Sequence, residues 1–178
     1  MKRNGFTLVE MLVVISIAAI LAAIGIPSFR GMLNDFRQKS ALGLVVNDLN
    51  HARAEAIKRN TRILVCVRDA AGTGCATGTN WQAGWLVCSD STTAGTTPEL
   101  PPSDGLCDAG TAANPNPLIV RPALDAALTL TSTASAVRFN ANSSQGSAGA
   151  EAILTLGGTW SGVVSREIKI AGTGNISK

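Results

Sequence analysis

The sequence predicts an α+β chain in which one long N-terminal helix packs through an apolar face on antiparallel β-structure. Three observations carry that expectation. Residues 6–26 form an apolar run of 21 residues in which Glu10 is the sole charged side chain. Leu42, Val45, Val46, Leu49, Ala52, Ala56 and Ile57 then recur at three- and four-residue steps, the mark of a helix with one buried face. Beyond Asn60 the period shortens, and clusters of Gly, Ser, Asn and Thr separate short apolar runs, as strands joined by turns require.

The helix is expected from residue 6 to about 59, roughly 80 Å at about 1.5 Å per residue. Its first part, 6–27, matches the roughly 30 Å hydrocarbon core of a bilayer, and its second part, 28–60, is amphipathic. Pro27 lacks a backbone donor and is the expected kink; Gly31 and Gly43 are weaker points. Asp35 with Lys39, and Glu55 with Arg59, stand four apart with the acid first, the favourable order for exposed pairs. His51 falls on the polar side with Asn47 and Lys58. Strands are expected at 62–67, 84–88, 118–120, 127–131, 136–139, 153–156 and 167–170. The stretch 90–117 holds five of the seven prolines and is too long for a tight turn. Residues 61–178 thus read as one antiparallel β domain without internal repeats.

Composition narrows the function. The chain of 178 residues suffices for one membrane helix and one modest domain. Its 15 basic against 12 acidic side chains include Lys2 and Arg3, so the charge excess is partly a property of the extreme N-terminus and weak support for nucleic-acid binding. With Lys2 and Arg3 cytoplasmic, Cys66, Cys75, Cys88 and Cys107 lie outside, where an even number favours disulfides. Chain proximity favours Cys66–Cys75 and Cys88–Cys107, each closing a loop worth about 3 kcal/mol in the chain-entropy model. Zinc is the rival, but no C-x-x-C spacing occurs and His51 lies elsewhere; no metal or other cofactor is expected. The chain has no metalloprotease, nucleophile-elbow, phosphate-loop or dinucleotide pattern. One histidine and four paired cysteines leave little for a nucleophile–base pair, so no enzyme activity is expected. Trp81 and Trp85 read as core packing, and Asp90 as a turn former.

Glu10 poses the central question, because a carboxylate in a membrane helix costs about 2–3 kcal/mol on insertion scales and needs a partner or a function. A signal peptide has a shorter core, about 7–15 residues, and an A-x-A-like site that Ile24-Gly25-Ile26-Pro27 does not offer. A plain anchor fits the length and leaves Glu10 unexplained. Gly5, then Phe6-Thr7-Leu8-Val9-Glu10, then an apolar helix with Pro27 near its end, resembles the N-terminus of type IV prepilins and type II secretion pseudopilins. The resemblance implies a leader at 1–5, cleavage between Gly5 and Phe6 by a prepilin peptidase, and N-methylation of Phe6. It also implies pairing of Glu10 with the N-terminal amine of a neighbouring subunit during assembly. A cation and a carboxylate then neutralise each other where neither stands alone in lipid.

Arg53-Ala54-Glu55-Ala56-Ile57-Lys58-Arg59-Asn60, Val65-Cys66, Cys75, Trp81, Gly84-Trp85-Leu86-Val87 and Asp90 resemble the GspH/FimT family. Val137-Arg138-Phe139 ahead of Gly146, and Glu167-Ile168-Lys169-Ile170 ahead of Gly174, are similar to its later strands. The resemblance implies a β-sandwich behind the helix and a minor pilin that primes type IV pilus assembly at the filament tip. The alternative is a minor pseudopilin of a type II secretion system. The implied partners are other minor and major pilins or pseudopilins, the prepilin peptidase, an inner-membrane assembly platform, and membrane lipid before assembly. The implied location is the bacterial inner membrane in a single pass with a periplasmic C-terminal domain, then the filament. A third role, DNA receptor for transformation, belongs to members ending in G-R-x-R. In Gly174-Asn175-Ile176-Ser177-Lys178, Asn and Ser replace both arginines, the residues suited to bidentate phosphate contact. DNA is therefore not expected as a partner, and Arg166, Lys169 and Lys178 remain the candidate contacts.

Overall fold

The computed structural model describes residues 6–72, 74–89, 107, 117–142 and 151–178, the side chains of 26–28 excepted. The leader 1–5, Asp90, Gly146 and nearly all of 90–117 lie outside the described residues. The chain divides into two compact units, one ending at Arg37 and one spanning Gln38–Lys178.

Helix α1 runs Leu8–Arg59, 52 residues. Asn60 ends it in a left-handed conformation at φ 51°. Its N–H bonds Ile57 O and that of Thr61 bonds Ala56 O, both at 3.2 Å, the paired bonds of a Schellman cap that satisfies the last carbonyls. Within the second unit the buried stripe is Ala41, Val45, Leu49, Ala52 and Ala56. Two expectations change here. Ile57 is 54 % exposed, while Glu55 is buried at 9 % exposure. At 100° per residue Glu55 stacks one turn above Ala52 and two above Asp48, whereas Ile57 shares the outer face with Asn50 and Ala54.

Among the described residues eight strands follow: β1 Ile63–Val67, β2 Trp85–Ser89, β3 Ile119–Val120, β4 Leu128–Ser132, β5 Ala136–Phe139, β6 Ala152–Gly158, β7 Arg166–Ile170 and β8 Ile176–Ser177. They form two antiparallel sheets, ordered β3-β2-β1-β5 and β4-β6-β7-β8. The α+β reading with antiparallel sheets therefore stands. All expected strands form within a residue or two, and β8 is an addition. Side-chain alternation sends Ile63, Val65 and Val67 of β1 into a shared core with the helix stripe, Trp85, Phe139, Leu130, Leu154 and Ile168. Leu64 and Cys66 point the other way, into a small second core with Leu86 and Cys88. Gly84 makes the entry to β2 possible. Its φ is +103°, and a Cβ there would lie 2.4 Å from Arg121 O, a backbone atom with no room to give.

Candidate functional site

In the N-terminal unit, Thr7 and Glu10 form a reciprocal capping box. Glu10 N–H donates to Thr7 Oγ1 at 3.2 Å. Glu10 Oε2 accepts from Thr7 N at 2.9 Å and from Thr7 Oγ1 at 3.0 Å. Threonine at the cap with glutamate three residues on is the spacing that makes this exchange possible, and it places the carboxylate at the positive end of the helix. Phe6 is 77 % exposed, and Leu8, Leu12, Ile15, Ile20 and Ile24 stand exposed along α1. The helix is long and apolar enough to cross a membrane. Ser16 returns its hydroxyl to Leu12 O at 2.8 Å, so this polar group in the apolar run is satisfied within the helix. Pro27 lies inside α1.

In the second unit the chemistry is structural. Trp81 and Trp85 are fully buried. Trp81 Nε1 donates to Ala134 O at 3.0 Å, and Trp85 Nε1 donates to Asp48 Oδ2 at 2.9 Å. The same carboxylate accepts from Arg121 Nε and Nη2, both at 2.8 Å. That bidentate bond raises the Arg121 pKa above its ordinary value, against the opposing effect of burial. Asp48 and Gln38 escaped the sequence reading, yet both carried a signal: each is a polar residue at helical spacing from the buried stripe. Gln38 Nε2 donates to Leu156 O at 3.2 Å and Val164 O at 2.9 Å, fastening the helix to β6 and the following loop. Glu55 holds Arg59 and, at 3.2 Å, Lys58. The Arg59 hydrogen bond, followed by the weaker Lys58 contributions, outweighs burial and holds Glu55 below the usual carboxylate range.

Cys66 bonds Cys75 and Cys88 bonds Cys107, with Cα atoms 5.6 Å apart in each pair. His51 is exposed. The three basic candidates do not converge. Arg166 shares the inward parity of Ile168 and Ile170 on β7 and donates to Gln38 Oε1 at 3.4 Å. Lys169 is on the opposite parity, with Glu167 at 3.4 Å. Lys178 is exposed at the chain end. Gly174 has φ +76° and its N–H bonds Ala171 O at 2.7 Å, so the stretch that corresponds to G-R-x-R starts at the last residue of the tight turn after β7 and runs through β8.

A long N-terminal helix with exposed apolar side chains in its first part, and two antiparallel sheets in the second unit, are the features of a type IV pilin-like subunit. The family model described as type II transport protein GspH matches residues 41–174, and the prokaryotic N-terminal methylation motif matches residues 1–26. The chain belongs to the GspH family. Two crystal forms of the type IV minor pilin FimU from Pseudomonas aeruginosa PAO1 are similar in fold. One gives a TM-score of 0.53 at 19 % identity over 81 % of this chain and 89 % of that one. The other gives 0.50 at 18 % identity over 78 % and 90 %. Over 32 residues the chain is 59 % identical to prepilin peptidase-dependent protein D of Escherichia coli K12, which is 18 % of this chain and 22 % of that protein. The match thus spans about a fifth of that relative's length.

Proposed function

We propose that this chain is a non-enzymatic minor pilin of the GspH/FimT type, a filament-tip subunit that primes assembly of a type IV pilus. Before assembly, α1 holds it in the inner membrane with Lys2 and Arg3 inside and residues 61–178 in the periplasm. Prepilin peptidase cuts between Gly5 and Phe6, and the new Phe6 amine is methylated. The helix then leaves lipid for the helical core of a filament. Lipid and helix core are similarly apolar, so this transfer gains little hydrophobic energy, and polar contacts set the register. Pro27 supplies a bend in α1 where the two halves meet.

The observation that carries the reading is Glu10, exposed at the head of an apolar helix inside a matched methylation motif. An ionised carboxylate offers about four acceptor sites. Thr7 takes two on one oxygen, so a neighbour's ammonium has an open oxygen to reach. The test separates cap from charge. Glutamine also completes a capping box, so Glu10→Gln keeps the helix start and removes the ion pair, while Glu10→Ala removes both. Both variants should lose incorporation into surface filaments, and wild-type incorporation of Glu10→Gln would refute the pairing. A second reading, minor pseudopilin of a type II secretion system, is supported by the description of the matching family model. Deleting the chain separates the two, with loss of pili under the first and loss of secreted exoprotein under the second.

A further inference from the structure

The two disulfides are neighbours rather than separate braces. Cys66 stands opposite Leu86 and Cys88 opposite Leu64 on the paired strands β1 and β2, so both sulfurs emerge on the sheet face away from the main core. The Sγ atoms of Cys66, Cys75 and Cys88 all lie within 4.8 Å of one another, and Cys107 is bonded to Cys88. A tetrahedral zinc–thiolate centre, with Zn–S about 2.3 Å, needs sulfurs about 3.8 Å apart. Linear spacing argues against zinc because no C-x-x-C pair occurs. Strand pairing supplies the convergence that chain order lacks.

We propose that, with both disulfides reduced, the four cysteines bind one thiophilic divalent cation of the zinc class, so that the small second core is closed either by two disulfides or by one metal. Each disulfide accepts two electrons and two protons from a dithiol reductant, which departs as its own disulfide. The four thiols then release their protons as their thiolates ligate the cation. Thiolate ligands select zinc-like ions over magnesium or calcium. Two features favour the site. Cys66 and Cys88 are fully buried on rigid central strands, whereas Cys75 and Cys107 are partly exposed and give reductant and cation a way in. Arg138, 6 % exposed and opposite Leu64 on β5, places a guanidinium on the same face, where it offsets the net negative charge of a four-thiolate centre.

The test uses the full chain in detergent, reduced with a phosphine under anaerobic conditions and titrated with Co²⁺, then Zn²⁺. Expected are saturation at about one cobalt per chain, thiolate-to-cobalt charge transfer and intense tetrahedral bands that zinc bleaches. Cys75→Ser should weaken binding by at least about tenfold, and zinc should raise the melting temperature of the reduced chain. Absence of tetrahedral bands while the near-ultraviolet tryptophan signal persists would overturn the proposal. So would a reduced chain that unfolds and is not refolded by zinc, or binding unchanged in Cys75→Ser.

Discussion

Arg121→Met should destabilise the β domain more than Asp48→Asn, although both break one ion pair. Asp48 is fully buried, whereas the Arg121 side chain is 32 % exposed. Removing Arg121 strips the carboxylate of two charge-assisted hydrogen bonds and leaves it in the core with, among the described residues, Trp85 Nε1 as its side-chain donor. Stranding a buried charge costs about 3–5 kcal/mol; because Arg121 reaches water and its attraction is partly screened, the low end, about 3 kcal/mol, applies. Asparagine at 48 keeps an acceptor for Trp85, and the released guanidinium turns to solvent, so that change costs about 1–2 kcal/mol. The double variant should cost less than the sum of the singles by about 1 kcal/mol or more. Residues 28–178 contain the whole core, and Trp81 and Trp85, both buried, report unfolding by fluorescence. With a urea slope of about 1–3 kcal/mol per molar, Arg121→Met should lower the midpoint by roughly 1–3 M. Equal midpoints for the two variants, or a larger loss for Asp48→Asn, would refute the claim that the buried partner sets the cost.

Glu55 gives a pH prediction. Its folded pKa is depressed, first by Arg59, so its stabilisation is present above the ordinary carboxylate value of about 4.3 and disappears as pH falls through the folded value. Glu55→Gln should therefore lower the melting temperature near neutrality and leave it unchanged in strong acid; a gap constant with pH would contradict this. For DNA, a gel-shift titration of residues 28–178 at two salt concentrations should show weak binding, because Arg166 bonds Gln38 and Lys169 sits beside Glu167. Tight binding that falls steeply with salt would revive the receptor role.

The helix and seven strands were readable because their periods are strong and their turn residues frequent. β8 was not, since Ile176 is a lone apolar residue between Asn175 and Ser177, whereas the equally short β3 lies in the apolar run 118–120. Glu55 and Ile57 show what residue type conceals: polarity assigned one outward and the other inward, while helical angle decided the reverse. Asp48 was half readable. Its position three after Val45 and four before Ala52 marks a charge in the buried register, but its cation lies 73 residues on, and no local pattern points there. The cysteines behave alike: chain proximity names the pairs, and only strand register shows that the pairs touch.

Glu10 requires both kinds of reading. Insertion cost alone asks for a partner, and Thr7 supplies donors at the spacing of a capping box. Those donors are neutral. They lower the cost of holding a carboxylate in lipid and stabilise the helix start without cancelling its charge, so the capped helix still carries one uncompensated negative group into an apolar medium. A glutamine would cap as well and carry no such cost. The proposed pairing with a neighbour's terminal amine would account for the choice of glutamate over glutamine at this position, and the capping box fixes where the carboxylate stands at the helix head.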